Sequence, residues 1–331
     1  MKAEGTLLLK RSEIASLLGI EECIAAVEQA FRLYAEGKTK PPGMLGTHAR
    51  DGGFHIKAGL LELDRSYFAA KLNANFPQNP NRFALPLIQG IVMLCDGENG
   101  YPLALMDSME ITIIRTGAAT GVAAKYLARL DAKVATICGC GNQGRISLKA
   151  LAHVRPLTRA YAFDIDEGCA RRFAEELSKE TGIEVRAVSD PAKAVKESDI
   201  CVTCTPSKRY FLKREYVSPG TFIAAVGADN EEKQELDPAL MASNKVVVDL
   251  LEQCATIGEL HHALEQRLIT KSNVYAELGD VIAGKKAGRT SDDEIIIFDS
   301  TGTALQDVAA AAIVYERAMR AGMGVVLNLG E

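Results

Sequence analysis

The chain has 331 residues, 47% of them hydrophobic and 24% charged, with a formal net charge of −5. Acids and bases are interspersed and no basic block is present to track phosphates or an anionic membrane surface, which excludes nucleic acid and membrane as expected partners. No stretch approaches the roughly 20 uninterrupted apolar residues of a membrane span, and the opening "MKAEGTLLLKRSEIASLLGI" holds only a three-leucine run, so a cytoplasmic protein is expected.

The first amphipathic segment, "GIEECIAAVEQAFRLYAEG", reads as a helix. Alternating stretches follow, "GGFHIKAGLLE", "SYFAAKLNANFP" and "LPLIQGIVMLCDGENGYPLALMD", bounded by the turn signals "DGG" and "DGENG". This is the pattern of hairpins in an antiparallel or mixed sheet. From about residue 130 the rhythm changes to short apolar runs alternating with amphipathic ones: "KVATICGC", "GRISLKALAHV", "RAYAFDID", "EGCARRFAEELSKE", "EVRAV", "PAKAVKES", "DICVTCTP" and "TFIAAVGAD". "LDPALMAS" then reads as helix and "NKVVVDLLEQ" as a further buried strand. Such βαβ repetition predicts a doubly wound parallel sheet. The alanine-rich "TALQDVAAAAIVYERAMRAGM" is a long helix returning to the first domain. The fold class expected is α/β: a Rossmann domain over 119–304, inserted in a discontinuous α+β substrate domain of 1–118 plus 305–331.

Eight cysteines are scattered, mostly inside apolar runs, where they behave as small buried hydrophobes. "CGC" and "CVTC" lie in buried-strand patterns with no further ligands at finger-like spacing, so no metal is expected.

Gly139, Gly141 and Gly144 have the G-x-G-x-x-G spacing directly after the strand "KVATIC" and at the start of a helix. Asp164 follows 20 residues after Gly144, at the end of "RAYAFD". Glycines there let the backbone approach a pyrophosphate at a helix N-terminus, with Asn142 and Gln143 in the same turn. Asp164 would accept hydrogen bonds from the adenosine ribose hydroxyls and repel a 2′-phosphate, favouring NAD(H) over NADP(H). Arg145 would neutralise a pyrophosphate or assist a 2′-phosphate, which keeps NADP(H) open. "CTPS", with Thr205 and Pro206, and "VGAD", with Val226, Gly227 and Asp229, end successive strands, where ligands of such sheets gather. Asp229 is thus a candidate catalytic acid, or alternatively a helix N-cap or turn aspartate.

"KLNANFPQNP" (71–80), "IIRTGAATGVAAKYLAR" (113–129), "GCGNQGR" (139–145), "VTCTPS" (202–207), "AVGAD" (225–229), "QELD" (234–237), "GDVIAG" (279–284) and "IFDSTGTALQD" (297–307) occur in one order. Through them the chain resembles the ornithine cyclodeaminase/mu-crystallin family, and most closely its archaeal-type alanine dehydrogenase branch. The resemblance spans nearly the full length. It implies a homodimer whose substrate domains pair, and an active site between each substrate domain and its Rossmann domain. It also implies that Lys71 and Arg115 grip the substrate carboxylate, that Asp229 faces the substrate nitrogen, that Thr116 contacts the cofactor and that Ser300, Thr301 and Gly302 lie near the nicotinamide. Charge chemistry agrees: Arg115 offers a planar fork and Lys71 a point charge, and an ammonium inside the apolar "FAAKLNA" needs a partner.

The chain departs from the family at two places. Gly43 and Met44 stand where a further basic residue is usual, and His55 stands where cyclodeaminases carry a glutamate. His55 and Lys57 are two apart on a strand and share a face. Either they replace the missing base and bind a second polar group of the substrate, or they are solvated on an exposed face. The expected activity is reversible hydride transfer between a nicotinamide and the α-carbon of a small α-amino or α-imino acid, alanine dehydrogenase-like or cyclic ketimine reductase-like. Two rivals are an amino-acid cyclodeaminase that recycles NAD within one turnover, and a protein that binds a dinucleotide and a small ligand without turnover.

Overall fold

The computed structural model describes residues 5–329. Its strands and helices in chain order are β1 (Thr6–Leu9), α1 (Arg11–Leu17), α2 (Ile20–Ala35), β2 (Gly43–Ala49), β3 (Gly52–Glu62), β4 (Ser66–Asn75), α3 (Asn79–Phe83), β5 (Ile88–Asp96), β6 (Pro102–Asp107), α4 (Ser108–Leu127), β7 (Val134–Cys138), α5 (Asn142–Val154), β8 (Arg159–Phe163), α6 (Glu167–Thr181), β9 (Glu184–Ala187), α7 (Pro191–Lys196), β10 (Ile200–Thr203), β11 (Lys208–Leu212), β12 (Phe222–Ala225), β13 (Gln234–Leu236), α8 (Pro238–Ala242), β14 (Lys245–Val248), α9 (Leu251–Ile257), α10 (Glu259–Glu265), β15 (Ala276–Glu277), α11 (Leu278–Ile282), β16 (Ile296–Asp299), α12 (Ala304–Ala321) and β17 (Val325–Leu327). The chain divides into two units, the breaks falling after Arg115 and after Gly302, against the limits 118 and 304 expected from sequence.

In the first unit, alternation of apolar and polar residues builds a seven-stranded mixed sheet of order β17-β1-β6-β5-β4-β3-β2, in which only β1 and β6 run parallel. The turn "DGENG" closes β5 onto β6, with Asp96 Oδ1 accepting from the backbone N–H of Glu98 at 2.9 Å. The alanine-rich α12 lies on one face of this sheet, against β3, β4 and β5, and packs on α2. Small residues permit that approach: a Cβ on Gly59 would sit 3.3 Å from the Ala304 Cβ. Cys23, Ile24, Val27, Ala30 and Phe31 recur at helical spacing on α2 and are all buried. Each large side chain among them contributes about 1.5–3 kcal/mol by leaving water.

In the second unit, short all-buried apolar strands form an eight-stranded sheet of order β15-β14-β16-β12-β10-β7-β8-β9, every pair parallel. The order reverses beside β7, where the chain runs out through β8 and β9 and then returns to β10 on the other side of β7. That reversal is the switch point at which such sheets open a crevice. Cys138, Thr203, Ala225 and Asp299, the last residues of β7, β10, β12 and β16, stand in one register across the sheet. The loops beginning at Gly139, Cys204, Val226 and Ser300 therefore leave the sheet along one edge. Below them Arg155 ends α4, donating to the carbonyls of Ala124 at 2.7 Å, Lys125 at 2.9 Å and Ala128 at 3.1 Å. Among the described residues, no helix is long and apolar enough to cross a membrane.

Candidate active site

On the sheet of the first unit, side chains alternate between the face under α12 and the opposite face. Lys57 on β3 stands directly opposite Lys71 on β4, and both are buried. An exposed strand face is thus the wrong setting for Lys57. His55 is half-buried beside Asn73, whose Oδ1 accepts from Ser108 Oγ at 2.7 Å. Lys71 Nζ lies 2.8 Å from Asp307 Oδ1 on α12, and Arg115 Nε lies 3.0 Å from the same oxygen. Arg115 Nη1 also donates to Gln306 Oε1 at 2.8 Å. Burial pushes the Lys71 ammonium down to about 7, with Arg115 and Lys57 adding to the shift and Asp307 opposing it. The Asp307 carboxyl is held below its ordinary value by Lys71, Arg115 and Lys57, although its own burial acts in the other direction. Three cations thus act on one buried carboxylate, an arrangement that favours an incoming anion.

In the second unit the glycine loop has the stereochemistry a diphosphate requires. Gly139 has φ +107°, and a Cβ there would lie 2.9 Å from the Cys204 carbonyl oxygen. A Cβ on Gly144 would strike the Gly139 carbonyl oxygen, while Gly141, at the N-cap of α5, faces open space with no side chain capping the helix. Gln143 Oε1 is buried without a hydrogen-bond partner. The helix N-terminus, its free N–H groups and an orphaned amide oxygen all fit an anionic group with hydroxyls. Asp164 Oδ2 accepts from Cys140 N at 2.8 Å and its Oδ1 from Asp166 N at 3.0 Å, so the acid tethers the loop as well as ending β8. Arg145 turns toward α6, with Nη1 2.5 Å from Glu176 Oε2 and its guanidinium 5.5 Å from the Phe173 ring centre.

Asp229 follows β12 in an irregular segment, its side chain 45% exposed and its Oδ1 2.7 Å from Lys233 Nζ. It is neither an N-cap nor within a helix. Thr205 donates from N at 2.6 Å and from Oγ1 at 2.7 Å to the buried Glu235. Ser300 Oγ, Thr301 Oγ1 and Gly302 N all donate to Asp249, at 3.1, 3.2 and 2.7 Å. Pro206, Val226 and Gly227 share the same sheet edge, and Thr116 is buried on α4. Burial pushes the Cys140 thiol up to about 12 and raises those of Cys204 and Cys254, which keeps them protonated and poorly nucleophilic. All eight cysteines are free. His261, His262 and Glu265 are the one group of potential metal-binding atoms within 4.8 Å of one another among the described residues. His262 Nε2 already faces the Lys233 carbonyl oxygen at 2.8 Å.

Sequence reasoning passed over Gln306 and Asp307, and the acids Glu235, Asp249, Glu259 and Asp299. The first two carried a signal: an acid inside the otherwise apolar "ALQDVAAAA" needs a buried cation. Asp249 and Asp299 carried a weaker one, standing in the apolar runs "VVVDLL" and "IIIFD", whereas Glu235 and Glu259 sit in mixed segments where nothing marks an acid as buried.

A parallel sheet with a glycine loop at its switch point, joined to a mixed sheet bearing a buried cation cluster, defines a Rossmann-type α/β protein with a second, discontinuous α+β unit. The chain belongs to the ornithine cyclodeaminase/mu-crystallin family, whose sequence model matches residues 4–322. It is 41% identical over 319 residues to an alanine dehydrogenase of Archaeoglobus fulgidus, covering 96% of this chain and 97% of that protein. Two solved structures align almost completely. An archaeal alanine dehydrogenase dimer with bound NAD matches with a TM-score of 0.93 at 40% identity, covering 98% of this chain and 99% of that one. The Thermococcus litoralis Delta(1)-pyrroline-2-carboxylate reductase in complex with NADH and L-proline matches with a TM-score of 0.92 at 35% identity, covering 97% and 100%.

Proposed function

We propose that the protein is an NAD(H)-dependent oxidoreductase of small α-amino and α-imino acids. The observation that carries this reading is the buried Lys71–Asp307–Arg115 cluster, in which two cations are held ready by one carboxylate. A carboxylate substrate meets donors already desolvated and oriented, so little reorganisation accompanies binding. The bound nicotinamide supplies or accepts the hydride. Lys71 and Arg115 hold the substrate carboxylate, His55 and Lys57 meet a second polar group, and Asp229 faces the nitrogen and stabilises its positive charge. In the oxidative direction water releases ammonia and a 2-oxo acid from an open-chain imine, whereas a cyclic imine is the product itself.

The cofactor is held, on this reading, by the 139–145 turn, with the ribose on Asp164 and the nicotinamide beside Thr116, Thr205, Pro206, Val226, Gly227 and the 300–302 loop. The commitment of Arg145 to Glu176 supports NAD(H) over NADP(H). The protein acts as a homodimer through the sheet face away from α12. Leu45, Ile56, Leu72 and Ile91 are cross-strand neighbours there, with Leu45 60% and Ile91 49% exposed. The dimeric state of the archaeal alanine dehydrogenase supports a second copy as the occupant.

The test is a screen of NADH and NADPH oxidation with pyruvate plus ammonia, pyruvate plus methylamine, pyrroline-2-carboxylate, piperideine-2-carboxylate and oxaloacetate plus ammonia, beside an NAD-only ornithine assay. Turnover of at least one imine with NADH is expected. Ammonia release from ornithine without net NADH would replace the reading by a cyclodeaminase, and NADH binding without any product by a binding protein.

A further inference from the structure

Four buried acids of the second unit form one continuous chain of hydrogen bonds. Glu235 Oε1 accepts from Thr205 N and Oγ1, at 2.6 and 2.7 Å. The backbone N–H groups of Glu235 and Leu236 donate to Glu259, at 2.7 and 3.1 Å. Those of Glu259 and Leu260 donate in turn to Asp299, at 3.2 and 2.9 Å. Asp249 N donates to the Asp299 carbonyl at 3.0 Å, and the Asp249 carboxylate holds Ser300, Thr301 and Gly302. Glu259 thus grips the backbone that carries Glu235, Asp299 the backbone that carries Glu259, and Asp249 the segment that follows Asp299. Glu235, Asp249 and Asp299 are fully inaccessible to solvent and Glu259 nearly so.

Burying four carboxyls is costly, and a core of apolar residues would be at least as stable. The chain also leaves room for them. A Cβ on Gly227 would run into Glu235 Oε2, and one on Gly258 would sit 2.5 Å from Asp299 Oδ2. Glu235 is therefore wedged between the loop after β10 and the loop after β12, which it can hold at one spacing.

We propose that Glu235 is a positioning residue for dinucleotide binding, fixing the Thr205–Pro206 and Val226–Gly227 loops to each other and, through Glu259, Asp299 and Asp249, to the Ser300–Gly302 loop. The proposal rests on the cofactor reading given above. The loops carry the residues that reading assigns to the nicotinamide half, and a rigid floor lowers the ordering cost of binding. Because both Thr205 bonds end on one oxygen, a glutamine amide can accept them in place of the carboxylate.

The experiment compares wild type, Glu235→Gln, Glu235→Met and Glu235→Ala by NADH fluorescence titration and by amide hydrogen exchange of the protein without dinucleotide. Glu235→Ala is expected to weaken NADH binding by about tenfold or more, equivalent to about 1.4 kcal/mol, and to speed exchange at Thr205, Ser207 and residues 300–302. Glu235→Gln is expected to stay within about threefold of wild type in both readouts, because its amide oxygen still accepts, whereas Glu235→Met, which fills the space without an acceptor, is expected to behave like Glu235→Ala, an outcome that lost packing alone does not give. If Glu235→Ala does not fold, Glu235→Asp, one methylene too short to reach Thr205, takes its place. Unchanged affinity and exchange in the short or truncated variant, or a glutamine variant as impaired as alanine, overturns the proposal. A wild type that does not bind NADH overturns the cofactor reading instead.

Discussion

Lys71 Nζ and Asp307 Oδ1 lie 2.8 Å apart with 3% and 1% of their side chains exposed, joining the middle of β4 to the first turns of α12 across 236 residues. Removing the acid leaves the lysine and Arg115 buried beside each other with no carboxylate between them. Asp307→Ala is expected to lower the unfolding free energy by about 3–5 kcal/mol, and Asp307→Asn by less, because the amide oxygen still accepts. Urea midpoints at pH 7.5 read this directly. A loss below about 1 kcal/mol would show that the pair is not what holds α12 to the sheet.

The depressed Lys71 ammonium gives the same cluster a pH dependence. A lysine lowered to about 7 is charged below that pH and neutral above it. A carboxylate that binds the charged form is held more weakly as pH rises, approaching tenfold per pH unit once the lysine has lost its proton. Pyruvate, whose own carboxylate does not titrate between pH 6 and 9, is the suitable probe as a competitive inhibitor. Its inhibition constant is expected to rise across that range in wild type and to stay nearly flat in Lys71→Arg, since guanidinium remains charged throughout. A flat wild-type profile would remove Lys71 from the anion site.

Much of this architecture is readable from local pattern. The alternation in "GGFHIKAGLLE" and the turn "DGENG" specify hairpins, and the glycines of "GCGNQGR" are each required by a positive φ, an open approach or a close helix–strand contact. What pattern does not carry is pairing across distance. Nothing local in "ALQD" says that the acid meets a lysine on β4, and nothing in "KQELDP" marks Glu235 as buried. Both are decided by which loops the sheet order brings together. The burial of Lys57 likewise depends on the register of β3, which sets it opposite Lys71 on the face that α12 covers.

Asp229 is the group proposed to face the substrate nitrogen, and its partner Lys233 at 2.7 Å keeps the side chain oriented from an otherwise irregular segment. Asp229→Asn retains the shape and removes the charge. It is expected to lower kcat by about 10²–10⁴-fold, the range typical of a positioned acid or base, while NADH affinity stays within about threefold. Equal losses in turnover and cofactor binding would assign Asp229 to the fold of its loop rather than to the chemistry.

Burial raises the Glu235 carboxyl to about 7 and the Asp299 carboxyl to about 7 as well. Glu235 is opposed in this by its Thr205 bonds and by Lys233, whereas Asp249 adds to the shift of Asp299. Both acids are protonated in the folded protein over a range where an unfolded chain, with ordinary values near 4, has already ionised them. Folding then binds protons, so the stability they contribute is full below about pH 4 and declines as pH rises through 7. Glu235→Gln carries no such proton. The difference in Tm between this variant and wild type is expected to shift in the variant's favour by a few degrees from pH 5 to pH 8, at about 1–2 °C per kcal/mol for a chain of this size. Taking the difference cancels the titrating groups remote from Glu235, Lys71 among them, while Glu259, whose carboxyl is raised first by burial and further by the Glu235 charge, adds to the same trend; a constant offset across that range would mean that Glu235 is ionised throughout.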